Sequence, residues 1–188
     1  MTGPPVVIEL KSTCPEYPKK CKNYPKIPHH YQEPARKLFR DLIRDGIIIP
    51  VPHEHKSRFC SRGLIVAKPA KNGVWCAEDG VRLVVDFSEY NQYIERSQHP
   101  FLAGNDLIQR LDPKSTCFCT LDFLWGYYQC PLAKESQHIS TFICEFGTYM
   151  YLVCPMGLCN SSDAFIRRSD YALAGIPGCL LYTSDAAD

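Results

Sequence analysis

The sequence predicts an α+β fold of antiparallel hairpins with flanking helices, and three observations carry that prediction. Two β-rich runs, Gly63 to Lys68 and Val81 to Phe87, are joined by a link holding Asn72-Gly73 and Asp79-Gly80, the turn chemistry of a hairpin with a long and mobile tip. Residues from Pro34 onward place apolar side chains at helical spacing. No regular alternation of strand and helix runs through the chain, which excludes a doubly wound parallel sheet. With 188 residues, 45% hydrophobic and 22% charged, the chain is long enough for one domain with a real core.

The elements follow in order. Residues 1–33 carry Pro4, Pro5, Pro15, Pro18, Pro25 and Pro28 among lysines, which reads as an extended basic arm. Pro34 opens a helix whose stripe is Ala35, Leu38, Phe39, Leu42 and Ile43, with Arg36, Lys37, Arg40 and Arg44 mostly off it and Gly46 as its stop. After the first hairpin, Asp106 to Leu111 forms a short helix halted by Asp112-Pro113, and Thr116 to Asp122 reads as a strand that ends on a carboxylate. His138 to Phe146 and Thr148 to Cys154, with Gly147 between them, make a second hairpin. Ser161, Ser162 and Asp163 supply caps for a helix through about Leu173, closed by Gly175.

Composition removes several classes. The longest apolar runs, Gly46 to Pro50 and Gly63 to Ala67, fall far short of the ~20 residues that span a bilayer, so no membrane partner is expected. No signal peptide is readable at Met1 to Pro5, and secretion is not expected. Eleven cysteines, an odd number set in apolar or strand-like runs, read as free thiols of a reducing compartment. Cys14, Cys21, His29 and His30 could be drawn as a zinc site, but the six residues between the two cysteines exceed the usual two to four. Residues 1–72 hold fourteen Lys and Arg against six Asp and Glu, while the rest hold seven against fourteen. A basic front of +8 before an acidic back of −7 suits a polyanion-binding surface beside a carboxylate site.

Asp122 is the most informative position. Alone it reads as a turn or capping residue, yet the run Leu121-Asp122-Phe-Leu-Trp-Gly126-Tyr127-Tyr-Gln129 sets an aromatic five residues after the carboxylate, past a glycine that permits a sharp turn. Such a site can hold a divalent metal on oxygen with a flat ring beside it.

These residues resemble the reverse transcriptases of gypsy-type long-terminal-repeat retrotransposons, and more distantly those of retroviruses. The resemblance runs from near Pro34 to near Gly178 through Asp45-Gly-Ile-Ile-Ile-Pro-Val51, Phe59-Cys-Ser61, Leu64 to Lys68, Arg82 to Phe87 with Asn91, and His99-Pro-Phe101. It continues through Leu121-Asp122, Gly126 to Gln129, Phe142, Gly147 and Pro155-Met-Gly-Leu158. It implies an incomplete right-hand polymerase fold, with fingers at about 34–101 and palm at about 102–178. It also implies template-directed DNA synthesis from deoxynucleoside triphosphates in the intact parent. Asp122 would be the first catalytic carboxylate and a ligand of two Mg²⁺ ions, or Mn²⁺, with the Phe123 backbone carbonyl assisting. Arg82 and Lys68 would meet the triphosphate, although a solvated lysine is the plainer reading of Lys68 alone. Tyr127 would lie under the nucleotide sugar and disfavour ribose, core packing being its plainer reading. Met156 and Gly157 would border the nucleotide, and Arg58, Arg62 and Lys71 would contact nucleic acid.

The resemblance further implies an RNA or DNA template with primer, the rest of a retroelement polyprotein as partner, and a cytoplasmic particle, with a nuclear phase left open. Departures stand beside it: Ser88 occupies a usual Arg position, Tyr90 replaces Leu, Leu102 replaces Pro, and Met156 stands where retroviral enzymes carry Gln. The family's Asp-Asp pair has no counterpart, since the 188 residues contain no two adjacent aspartates. Residues 179–188 resemble a translated sequencing adapter, so the authentic sequence is expected to end near Gly178 and the chain itself to be inactive. A non-catalytic nucleic-acid-binding module derived from a retroelement is the alternative, and a zinc-binding cysteine-rich protein a third.

Overall fold

The computed structural model describes residues 3–52, 57–71, 73–96, 109, 112–117 and 122–176. Most of the helix expected at Asp106 to Leu111, most of the strand expected at Thr116 to Asp122, Asn72, Leu102 and the tail at 179–188 lie outside the described residues.

The first helix, α1 (Gln32–Arg44), accepts Pro34 in its first turn, where a missing N–H breaks no helical bond. Ala35, Phe39 and Leu42 are its buried face. Ile43, expected on the stripe, is instead 38% exposed. Gly46 adopts φ 68°. That left-handed residue lets Gly46 N–H reach Ile43 O at 3.1 Å and Ile47 N–H reach Leu42 O at 2.9 Å, a Schellman stop. The chain then enters β1 (Ile48–Pro50).

β2 (Ser61–Ala67) and β3 (Val81–Asp86) form the predicted antiparallel hairpin, in register from Arg62 opposite Asp86 to Ala67 opposite Val81. Its tip is tied by hydrogen bonds: Asp79 accepts from the backbone N–H of Lys71 at 3.3 Å and Cys76 at 2.9 Å, and Trp75 Nε1 donates to Gly80 O at 3.0 Å. These donors hold the Asp79 carboxyl below its ordinary range. A short helix, α2 (Ser88–Asn91), follows.

The second hairpin is shorter than predicted. After α3 (Lys134–Gln137), His138–Ser140 coil into a 3₁₀ turn, and only β4 (Phe142–Cys144) and β5 (Gly147–Tyr151) are strands. Ser140 Oγ donates to Gln137 O at 2.6 Å and Thr141 Oγ1 to His138 O at 2.7 Å, so local side-chain bonds bend a segment with strand-like composition. The five strands make one sheet in the order β1-β5-β4-β2-β3, with β2 and β4 parallel. The last described element, α4 (Cys159–Leu173), packs against the 3₁₀ turn Gly126–Gln129.

Phe59, Phe87, Tyr90, Phe142 and Tyr151 fill the core, and Phe39 joins α1 to the sheet with edge contacts to Phe146 at 5.2 Å and Tyr149 at 5.0 Å. Each such ring contributes about 1.5–3 kcal/mol by leaving water. Among the described residues the arm has no helix or strand before the 3₁₀ turn His29–Tyr31, as its prolines dictate. It is nonetheless part of the same core, because Ile8 and Ile27 are buried and Val6 and Leu10 bridge to Leu132 and Ile94.

Candidate functional site

Asp122 stands exposed at the start of a turn that wraps one ring of α4, Phe165. Phe123 meets Phe165 edge-on at 5.4 Å and Tyr127 meets it at 5.6 Å. Gly126 lies so close that a Cβ there would sit 2.8 Å from Phe165 Cε2. Gly126 is therefore required for close approach, not for the turn expected of it. The left-handed residue is Trp125, at φ 53°. Gln129 Nε2 donates to Leu124 O at 2.8 Å and closes the turn. Tyr127 is half-buried with its hydroxyl 3.3 Å from Ser162 Oγ, a contact that fixes the turn to α4.

A second turn, Met156-Gly157, is held from a distance. Asn91 Nδ2 donates to Gly157 O at 2.8 Å, and Asn91 Oδ1 accepts from Cys159 N–H at 3.0 Å. Asn91 thus caps α4 from 68 residues away. Ser161, Ser162 and Asp163, expected to cap it, lie inside the helix, which begins two residues earlier, and Ser161 Oγ donates to Pro155 O instead. Gly157, at φ 87°, lays its backbone on β3, where an added Cβ would be 3.4 Å from Val85 O. Met156 is left 53% exposed.

The outer face of the first hairpin carries the basic candidates. Opposed residues of a ladder share a face, so Arg62, Leu64, Val66 and Arg82, Val84, Asp86 project together away from the core. Lys68 continues that face, its N–H donating to Gly80 O at 3.2 Å, and Lys68 and Arg82 are both exposed. Arg62 sits opposite Asp86, and the neighbouring Cys21 thiol raises its already high pKa. The Asp86 carboxyl is drawn below its ordinary range by the hydroxyl and N–H of Ser88, with Arg62 assisting. Arg58 lies over the Phe59 ring, 5.1 Å from its centroid, and Lys71 belongs to the tip.

Two groupings thus emerge: Asp122, Phe123 and Tyr127 around Phe165, and Arg62, Lys68 and Arg82 on the hairpin with Met156-Gly157 against its β3 strand. Sequence reading missed Phe165 and the clamping role of Asn91. Asn91 was marked only by its place in the resemblance, five residues after β3, which does not reveal a cap on a distant helix. Tyr90, which departs from the family's Leu, is buried, donates to Lys19 O at 3.0 Å and accepts from Cys60 N–H at 2.7 Å, which ties the arm down. Burial raises its phenol to about 12. Among the described residues no three His, Cys, Asp or Glu side chains come together, at the cysteine and histidine positions of the arm or at Asp122. Asp122 and the Phe123 carbonyl are two oxygen donors where a pair of hard cations needs several more, so these residues do not fit a metal pair by themselves.

No protein-family profile matches the chain. The enzymatic polyprotein of Figwort mosaic virus is 29% identical to it over 155 residues, covering 82% of this chain and 22% of the polyprotein. The transposon Tf2-3 polyprotein of Schizosaccharomyces pombe is 27% identical over 158 residues, covering 84% of this chain and 11% of that one. The chain therefore spans about a tenth to a little over a fifth of these relatives' length. Among solved structures, the foamy viral protease-reverse transcriptase in complex with dsDNA superposes with a TM-score of 0.74 at 20% identity, covering 96% of this chain and 34% of that one. The same enzyme in complex with an RNA/DNA hybrid gives 0.71 at 20% identity, covering 95% and 22%. The fold is that of part of a viral protease-reverse transcriptase, and the sequence likeness is to parts of a viral enzymatic polyprotein and a transposon polyprotein.

Proposed function

We propose that this chain is the fingers and first palm portion of a gypsy-type retroelement reverse transcriptase, serving template-directed DNA synthesis in the intact polyprotein. The observation that carries the reading is the joint placement of the basic hairpin face and the Met156-Gly157 turn on β3, in a fold shared with an enzyme solved on duplex DNA and on an RNA/DNA hybrid. Arg82 offers a planar fork of donors and Lys68 a compact charge to the phosphates of an incoming deoxynucleotide. Arg58, Arg62 and Lys71 extend that surface toward template and primer.

Asp122 is the carboxylate we assign to Mg²⁺ binding in the intact enzyme, where two such ions would activate the primer hydroxyl and neutralise the leaving group. Further carboxylates must join it there, and no step through the metals is assigned to this chain's residues. Tyr127, held by Phe165 and Ser162, is the ring we assign to the nucleotide sugar. The 188-residue chain alone is expected to bind primer-template without extending it.

Fluorescence anisotropy with a labelled primer-template tests the assignment of the hairpin face. Each phosphate neutralised on a duplex releases counterion, so log K should fall with log salt at a slope of about −0.9 per contact. Arg82→Ala and Lys68→Ala together should weaken binding and flatten that slope. Binding that ignores salt, or a double variant indistinguishable from the parent, would remove the hairpin face from nucleic-acid contact.

A further inference from the structure

We propose that a cleft between the N-terminal arm, the segment at Glu95 and Arg96, and α4 binds a small phosphate monoester, with Arg168 as its buried donor. The inference is independent of the polymerase reading. The cleft measures about 430 Å³, within the range of small-molecule sites. Two faces of α4 are used differently: Ser162 and Phe165 meet Tyr127, whereas Asn160, Ala164, Arg167 and Arg168, at helical spacing, line the cleft. The cleft thus lies on a different side of the helix from the Asp122 turn.

Arg168 carries the inference. It is 8% exposed, yet among the described residues no carboxylate pairs with it. Its Nη2 donates to the neutral carbonyl of Pro4, and its Nη1 is buried with no hydrogen-bond partner. A guanidinium keeps its proton even when buried. An uncompensated charge held away from water is costly, so this one calls for an anion. Its cover is slight, because Gly3 and Pro4 are both exposed and an added Cβ at Gly3 would stand 3.4 Å from Arg168 Nε. A shift of these two residues opens Nη1 to the cleft.

The rest of the lining selects the kind of anion. Arg96 is exposed and lies 4.0 Å from the buried Asp163, which offsets its charge. Arg167 and Arg168 bring two successive guanidiniums from α4 to the same cleft. Glu9 and Glu95 also line it, but both are exposed, where water and salt screen them. A phosphate monoester carries a charge of about −1.5 to −2 at pH 7 and three acceptor oxygens. It therefore matches two forks of donors better than a single carboxylate does. Pro5, Val7 and Ala164 give an apolar wall for the organic body of the ester.

Isothermal titration and thermal denaturation of the full chain with phenyl phosphate at low salt test the site. The expected result is one equivalent bound and a raised thermal midpoint, since the ligand binds the folded chain alone. Loss of a charge-assisted donor should weaken binding about tenfold or more in Arg168→Met and several-fold in Arg167→Gln. Lys37→Gln, an exposed cation of α1, should bind as the parent does. Arg167 is exposed, so its glutamine variant keeps the fold and reads the site whether or not Arg168→Met folds. Benzoate, a carboxylate on the same ring, should bind several-fold more weakly than phenyl phosphate. Neither heat nor a raised midpoint, equal binding by the parent and the folded arginine variants, or benzoate bound as tightly as phenyl phosphate would overturn the proposal.

Discussion

Replacing Gly126 by Ala tests whether the turn that presents Asp122 is built around Phe165. The added Cβ would lie 2.8 Å from Cε2 and 2.9 Å from Cζ of that ring, inside any distance real contacts tolerate. Phe165 is 7% exposed and engaged by Phe123 and Tyr127, so it cannot swing away freely. Overpacking of this kind costs about 1–3 kcal/mol. Gly126 has no left-handed backbone to preserve, so Ala also gains about 0.4–1 kcal/mol by restricting the unfolded chain. The net loss is roughly 1–2 kcal/mol, or roughly 2–8 °C in Tm for a chain of this size. Phe165→Leu removes the clashing ring edge at its own cost, and the Ala methyl then fills vacated space. The double variant should therefore be less destabilised than the two singles added, by about 0.5–1 kcal/mol in a urea-denaturation cycle. A Gly126→Ala chain as stable as the parent, or strict additivity, would refute the close approach as the reason for glycine.

Other outcomes follow from the same contacts. Asn91→Ala should cost roughly 1–3 kcal/mol in urea denaturation by orphaning Gly157 O and the first N–H of α4, and Asn91→Asp, which keeps the acceptor, should cost less. Glu145 accepts from Ile27 N–H and Gln32, and these bonds, Ile27 first, hold its folded pKa below the unfolded value. A depressed carboxyl contributes stability that is full above the unfolded pKa and lost as pH falls through the folded one, so acid should loosen the arm there. Denaturation midpoints recorded against pH should show that loss in the parent and a smaller one in Glu145→Gln. A pH profile identical in both would remove Glu145 from the arm's attachment.

Local signals made much of this fold legible. The hairpin was written in β-branched runs and glycine turns, α1 in its stripe and in Gly46, and α4 in the polar run near its start and in Gly175, since each needs only neighbours in sequence. What stayed hidden rests on distant partners. The proline-rich arm looked peripheral, yet Ile8 N–H reaches Ser136 Oγ across 128 residues and the side chain of Ile8 enters the core. The α4 cap comes from Asn91, 68 residues earlier, where serines at the helix start offered a nearer answer. Gly126 suggested a turn, and only the position of Phe165 reveals why it lacks a side chain. At the candidate site the order Asp122, Gly126, Tyr127 singled out a segment, but its scaffold is a ring forty-three residues from Asp122 that carries no signal of its own.

Primer extension by an intact polyprotein that contains this chain, with and without Asp122→Asn, bears on the polymerase reading most directly. The amide keeps the shape of the exposed carboxylate and loses its charge. If Asp122 holds Mg²⁺, removal of several kcal/mol of transition-state stabilisation should lower deoxynucleotide incorporation by about a thousandfold or more, while anisotropy shows primer-template bound as tightly as by the parent. Extension by the Asn variant at a rate close to the parent's would contradict the assignment of Asp122 to the chemistry.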